Sequence, residues 1–273
     1  MKYLIFIVTV MLSQSTLGNE SMSVEQLFET ELKEKNVSYE KEERFLYRVE
    51  TSDGKRDISI FNLHQNYLRD RDPEAIKRFV KNILQPITGD LSWSQLKEGI
   101  YPSLEPSDYR FVDEVIHKRL ADTSIVVMAY FNSELNQIRF ISDKDLKNIG
   151  IGVQAAWAQA YRNIDSIMDV TDVSFKDIDG QLLGMVEANE PYKASLILSN
   201  RLKVKIEKEI GWPVYAVAPA RDFVYLFSKE GGLVSKVGAV VVREFKNSGY
   251  PISTDVWELS DSKQTAIGAY PTE

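Results

Sequence analysis

The chain has no cysteine, only two histidines (His64 and His117) in 273 residues, and no apolar run long enough to cross a membrane. Without thiols there is no disulfide scaffold, no thiolate zinc or cysteine-ligated iron–sulfur site, no cysteine nucleophile and no cysteine to carry a lipid. Two histidines leave little room for metal chemistry. The excess charge is acidic: 33 Lys+Arg against 40 Asp+Glu gives −7. That sign argues against a nucleic-acid partner, whose binding rests on neutralising phosphates. What is present is ordinary for a globular protein, with 44% hydrophobic residues and length enough for one large core or two smaller ones.

The N-terminus reads as a secretory signal peptide. Lys2 supplies the positive start, Tyr3 to Leu12 an apolar run of ten, and Thr16 and Gly18 the small residues before a cleavage point at Asn19. A spanning helix needs about 20 apolar residues, so cleavage rather than anchoring is expected. Loss of residues 1–18 removes Lys2, and the expected mature chain of 255 residues carries −8. The expected location is periplasmic or extracellular, with no membrane span in the mature chain.

Three segments follow. Residues 19–104 read as an N-terminal α+β module, and residues 105–273 as a C-terminal α+β module of three hairpins with helices. Val24, Leu27, Phe28 and Leu32 predict a helix over 23–35. The charge-dense stretch 29–50 reads as a solvated helix and its connector. Residues 45–50 and 57–61 predict a hairpin turning at Asp53-Gly54, with His64 just beyond the second strand. Asp72-Pro73-Glu74 opens a helix whose apolar face is Ala75, Ile76, Phe79, Val80, Ile83 and Leu84, ending at Pro86. Residues 85–108, with Pro86, Pro102 and Pro106, read as a packed connector. Beyond it, hairpins are expected at 125–141, 173–188 (turning at Asp179-Gly180) and 214–227 (turning at 219–222). Helices are expected from Asp143, across 153–167, across 192–210 and across 233–246. Ala194, Leu198, Leu202, Ile206 and Ile210 predict one buried stripe. The runs IVVMAYF and FVYLF predict central strands covered on both faces. The fold class is α+β, with repeated β-hairpin–helix units forming antiparallel sheet and helices packed on it.

No motif carries a recognisable chemistry. Gly150-Ile151-Gly152-Val153-Gln154-Ala155 matches a dinucleotide fingerprint, but that motif needs a preceding strand; here a helix precedes it, so Gly150 reads as a helix end. Asp177 to Gly180 fails the calcium-loop spacing at both ends and reads as a turn. Glu114 and His117 share one face if that segment is helical, but there is no second E-x-x-H to complete a di-metal site. S-x-x-K matches, as at Ser38, Ser94 and Ser260, stand without the supporting elements of the penicillin-recognising enzymes. No serine sits on a nucleophile elbow. Arg221 and Asp222, on an expected exposed turn with a local ion pair, and His64 are the candidate ligand or partner residues. No catalytic, cofactor or metal residue is assigned, and no cofactor is implied.

The stretch VETSDGKRDISIFNLHQNYLRDRDPEAIKRFVKNIL, then Tyr101-Pro102, VVMAYF, ISDKDLKNIGI, EANEPYKASLILSNRL, YAVAPARDFVYLF and the closing Gly249 to Ser253 resemble the YtpQ-like family, the uncharacterised "domain of unknown function 1444". The resemblance runs from about residue 40 to 255. It implies no reaction and no catalytic residue, and many relatives look cytosolic and lack a signal peptide. The expected function is a non-catalytic binding or interaction module of the cell envelope, with another envelope protein as the expected partner. The alternative is a hydrolase using loop carboxylates.

Overall fold

The computed structural model describes residues 22–52, 54–85, 91–109, 112–133, 137–188 and 192–272. The proposed signal peptide, Asp53, Pro86 and the 189–191 segment lie outside them. The fold is α+β, and the described residues form three antiparallel sheets.

Helix α1 (Val24–Glu34) begins where Ser23 and Gln26 form a reciprocal capping box. It buries Val24, Phe28 and Leu32 on the sheet of β1 (Tyr39–Glu43), β2 (Leu46–Thr51) and β3 (Gly54–Ser59). Phe28 meets Tyr47 edge-on at 5.0 Å between ring centroids. Helices α2 (Phe61–Asp70) and α3 (Pro73–Ile83) close this core through Leu63, Ile76 and Val80. Asp72 caps α3 by accepting from the Glu74 amide, with Pro73 in the first turn. Two expectations change here. The charge-dense stretch contains β1, whose charged side chains face water and pair outward, as Lys41 does with Glu25. His64 does not trail a strand; it lies on α2.

The expected connector 85–108 carries structure. It holds α4 (Trp93–Gly99), capped by Ser92 with Gln95, and β4 (Ile100–Pro106), buried along nearly its whole length. The expected division at 104/105 falls inside β4; the apolar cluster of the N-terminal residues runs to Leu84, and the main cluster begins at Leu91. Strand β4 pairs with β6 (Ser124–Asn132), which on its other side pairs with the short β5 (His117–Arg119) and with β7 (Gln137–Phe140). Buried residues run consecutively from Ser124 to Ala129, as expected of a central strand covered on both faces. Residues 112–114 form a 3₁₀ turn and His117 starts β5, so Glu114 and His117 share no helix face. Helix α5 (Asp143–Asn148) ends at Gly150, whose φ of +68° lies in the left-handed region, and α6 (Val153–Val170) starts after Gly152. That is helix–glycine–helix, not the strand–turn–helix of a dinucleotide site.

The third sheet has the order β13-β12-β10-β11-β9-β8. Its members are β8 (Asp172–Ile178), β9 (Gln181–Glu187), β10 (Val214–Ala220), β11 (Phe223–Ser228), β12 (Asp255–Leu259) and β13 (Gln264–Ala269). The last hairpin was not expected. One sheet face packs Ala216, Val224, Leu226 and Trp257 into the main core; the other meets α8 (Leu233–Lys236) and α9 (Gly238–Asn247) through Val217, Phe227, Leu233 and Val241. The single helix expected across 233–246 is therefore two, meeting at Val237. The helix expected across 192–210 is also interrupted. Ala194–Leu198 is a 3₁₀ segment, Ser199 is extended, and α7 (Leu202–Ile210) follows. Asp165 on α6 holds the break, accepting from Ser199 Oγ at 2.7 Å and from the Asn200 amide at 2.8 Å. All five stripe residues are nevertheless buried.

Candidate functional site

The β10–β11 turn makes two long-range ion pairs, and its Arg221 lines a cleft. The turn was expected to be exposed with a local ion pair; the Arg221 half of that expectation is overturned. Arg221 Nη2 donates to Glu105 Oε2 of β4 at 2.7 Å, across 116 residues of sequence. The Arg221 side chain is 15% exposed and Glu105 only 3%. Ser103 donates to the second Glu105 oxygen at 2.6 Å, so that carboxylate is fully engaged. The backbone locks the turn in place. The Arg221 amide donates to Tyr250 O at 3.2 Å, its carbonyl accepts from the Ala194 amide at 3.0 Å, and the Ile252 amide donates to Pro219 O at 2.8 Å. Asp222, next in sequence, turns the other way and takes Arg69 of α2 at 3.2 Å. The turn thus joins the three-stranded module, the four-stranded sheet and the six-stranded sheet.

The cleft, about 540 Å³, is lined by Tyr109, Glu114, Arg139, Phe140, Asp145 and Arg221, with Ser142, Val115 and Ile138 between them. Tyr109 and Phe140 meet edge-on at 5.1 Å. The Arg221 guanidinium lies 4.8 Å from the Tyr250 ring centroid and 5.8 Å from that of Phe140, within cation–π range. Burial opposes its charge, but the Glu105 charge and hydrogen bond outweigh burial and hold its pKa above the ordinary value. Among the described residues only Nη2 donates to the protein, and Nε is buried with no acceptor, so the guanidinium keeps donors to spare. Tyr101 lies close to Arg221, its hydroxyl buried. Burial pushes the Tyr101 and Tyr109 hydroxyls up, and raises Tyr192 to about 12. These phenols are therefore donors, not bases, at neutral pH.

Asp145 is saturated. It accepts from the Ser142 amide at 2.8 Å, from Ser142 Oγ at 2.7 Å and from Arg139. Burial pushes its pKa up, but these donors win and hold it below the usual carboxylate value. A depressed folded pKa contributes stability above the unfolded value, near about 4, and loses it as the pH falls through the folded value. Asp145→Asn is expected to lower the urea midpoint at pH 7, with the gap to wild type closing below about pH 4. A gap that stays constant down to pH 2.5 or so would contradict the assignment.

His64 does not join this site. It stacks on Phe45 at 4.5 Å and 30°, with Nδ1 buried and without a partner among the described residues. No hydrogen bond or ion pair among the described residues links it to Arg221 or Asp222. Among the described residues no group of three His, Cys, Asp or Glu could hold a metal, and no helix is long and apolar enough to cross a membrane. Sequence reasoning missed Glu105, Tyr109, Arg139, Phe140 and Asp145. Two signals were present: a glutamate inside the apolar segment Ile100–Pro106, and the S-x-x-D capping box at Ser142. No protein-family model, curated protein or solved structure matches the chain.

Proposed function

We propose that the protein is an exported, non-catalytic binding module of the cell envelope that takes a small zwitterionic ligand, such as an amino acid or short peptide, in the Arg221 cleft. The observation that carries this reading is the buried guanidinium with spare donors at the floor of an aromatic-walled cleft. Charge balance sets the ligand class. Arg139 and Asp145 neutralise each other, Arg221 is offset by Glu105, and Glu114 at the rim forms no ion pair among the described residues. A simple anion would be repelled by Glu114. A zwitterion can place its carboxylate toward Arg221, its ammonium toward Glu114 and its body against Tyr109 and Phe140. The exported location rests on Lys2, the Tyr3 to Leu12 run and the Thr16/Gly18 cleavage pattern.

The hydrolase alternative finds less support. General acid catalysis wants a carboxyl with a raised pKa, whereas Asp145 is depressed and Glu105 is bound by Ser103 and Arg221. The test is calorimetric titration of the full chain with a panel of amino acids and dipeptides. Binding should weaken about tenfold or more when either ligand terminus is capped, or with Glu114→Gln, the scale of one charge-assisted hydrogen bond. Glu114 is exposed, so that variant keeps the fold. Absence of binding across the panel, or indifference to capping, would overturn the reading.

A further inference from the structure

A second cleft, about 620 Å³, runs along β13 from Lys263 to Ala269 and is walled opposite by the turn Leu120, Ala121, Asp122 and Thr123. At one end lies Asp255, a residue only 5% exposed. Its Oδ2 accepts from the Thr123 hydroxyl and, at 3.4 Å, from Ser124 Oγ. No ion pair reaches it among the described residues. A buried carboxylate with hydroxyl donors but no cation is under-compensated, because hydroxyls stabilise a charge less than a counter-ion does. At the other end Lys263 forms no ion pair among the described residues either. Asp255 pairs with Ala269 across the ladder, six residues from Lys263, which at the rise of a strand is about 20 Å. The cleft is therefore negative and buried at one end, and positive and exposed at the other.

The strand beside it is open. β13 ends the sheet and has no outer partner among the described residues. Its sequence, Gln264, Thr265, Ala266, Ile267, Gly268 and Ala269, has none of the charges or prolines that protect an edge; its one irregularity is a register shift at Ile267, between the Ala266 and Gly268 pairs with β12. The opposite edge, β8, carries Asp172, Lys176 and Asp177. Backbone donors and acceptors on an open edge recognise an extended chain.

We propose that this cleft binds an extended peptide of about six residues along β13, with a lysine or arginine side chain on Asp255 and a carboxylate toward Lys263. The site is separate from the Arg221 cleft and stands or falls independently of it. The probes are fluorescein-labelled hexapeptides of alternating threonine and valine, with lysine at one end and glutamate at the other, in both orders. Fluorescence anisotropy on the full chain should show binding of one order, weakened about tenfold or more when the lysine is acetylated. Asp255→Asn should remove that preference for free lysine. Lys263→Glu, at an exposed position, should weaken binding without touching the buried end, so the test survives if Asp255→Asn fails to fold. Lys176→Ala, on the opposite edge strand β8, should leave all of this unchanged. Equal binding of acetylated and free peptides, or no binding of either order, would overturn the proposal.

Discussion

Arg221→Met is expected to destabilise the protein by about 3–5 kcal/mol, read as a fall in the urea midpoint at constant slope. The cost is not chiefly the lost ion pair. It is the carboxylate of Glu105, 3% exposed, left in the protein interior with only Ser103 for compensation. Glu105→Met should cost a similar amount, because it strands the guanidinium among Tyr101, Phe140 and Tyr250. The double variant decides the matter. Two apolar side chains of similar length remove both desolvated charges at once, so it should recover most of the loss and lie within about 1–2 kcal/mol of wild type. A double variant as unstable as the sum of the singles would show that the pair acts through the turn's geometry instead. Asp222 supplies the control. Its partner Arg69 is 34% exposed and Asp222 32%, and a pair that wet contributes about 0–1 kcal/mol. Asp222→Ala should therefore move stability little. Neighbouring residues on one turn, each in a long-range ion pair, differ in consequence because one pair is dry.

That contrast also marks what the sequence could carry. Periodicity and capping residues are local signals, and they placed α1, α3 and the three hairpins of residues 124–228 close to where they lie. The Asp177 to Gly180 turn is a good instance: Asp179 and Gly180 both take positive φ, and Asp177 accepts from the Gly180 amide at 2.8 Å. The errors arose where a tertiary contact overrode a local pattern. The 194–210 stripe keeps its spacing, yet Asp165 draws Ser199 and Asn200 out of helical geometry. Strand β1 looked like part of a solvated helix and connector because Glu40 to Glu43 are all exposed, so no apolar–polar alternation marks them as a strand. The site was harder still. Arg221 could be singled out as a cation beside an apolar strand, but Glu105 lies 116 residues away and only the pairing of sheets brings it near. The turn's burial follows from Tyr250, Ala194 and Ile252 donating to or accepting from its backbone, and none of these is readable from the turn itself.

Trp257→Ala is the other large effect expected, about 3–5 kcal/mol, and Trp257 lies on the last hairpin. Trp257 is fully buried in the main core. On the ladder it faces Ala216 of β10 on one side and Ala266 of β13 on the other. Two alanines flanking an indole leave the ring lateral room that larger residues would fill, so truncation opens a cavity that small neighbours cannot close. The loss is therefore both the transfer of the ring and the unfilled volume. Trp257→Phe separates these from any polar contribution. The indole Nε1 is buried with no acceptor among the described residues, so phenylalanine gives up ring area while removing an unsatisfied donor. It should cost well under half as much as alanine. Because the cluster of residues 24–80 is separate from the one containing Trp257, amide exchange should rise in β10, β12 and β13 before it rises in α1 and α3. Equal losses for the two variants would mean that Nε1 does find a partner. Uniform exchange across both clusters would mean that the chain unfolds as one cooperative unit despite its divided core.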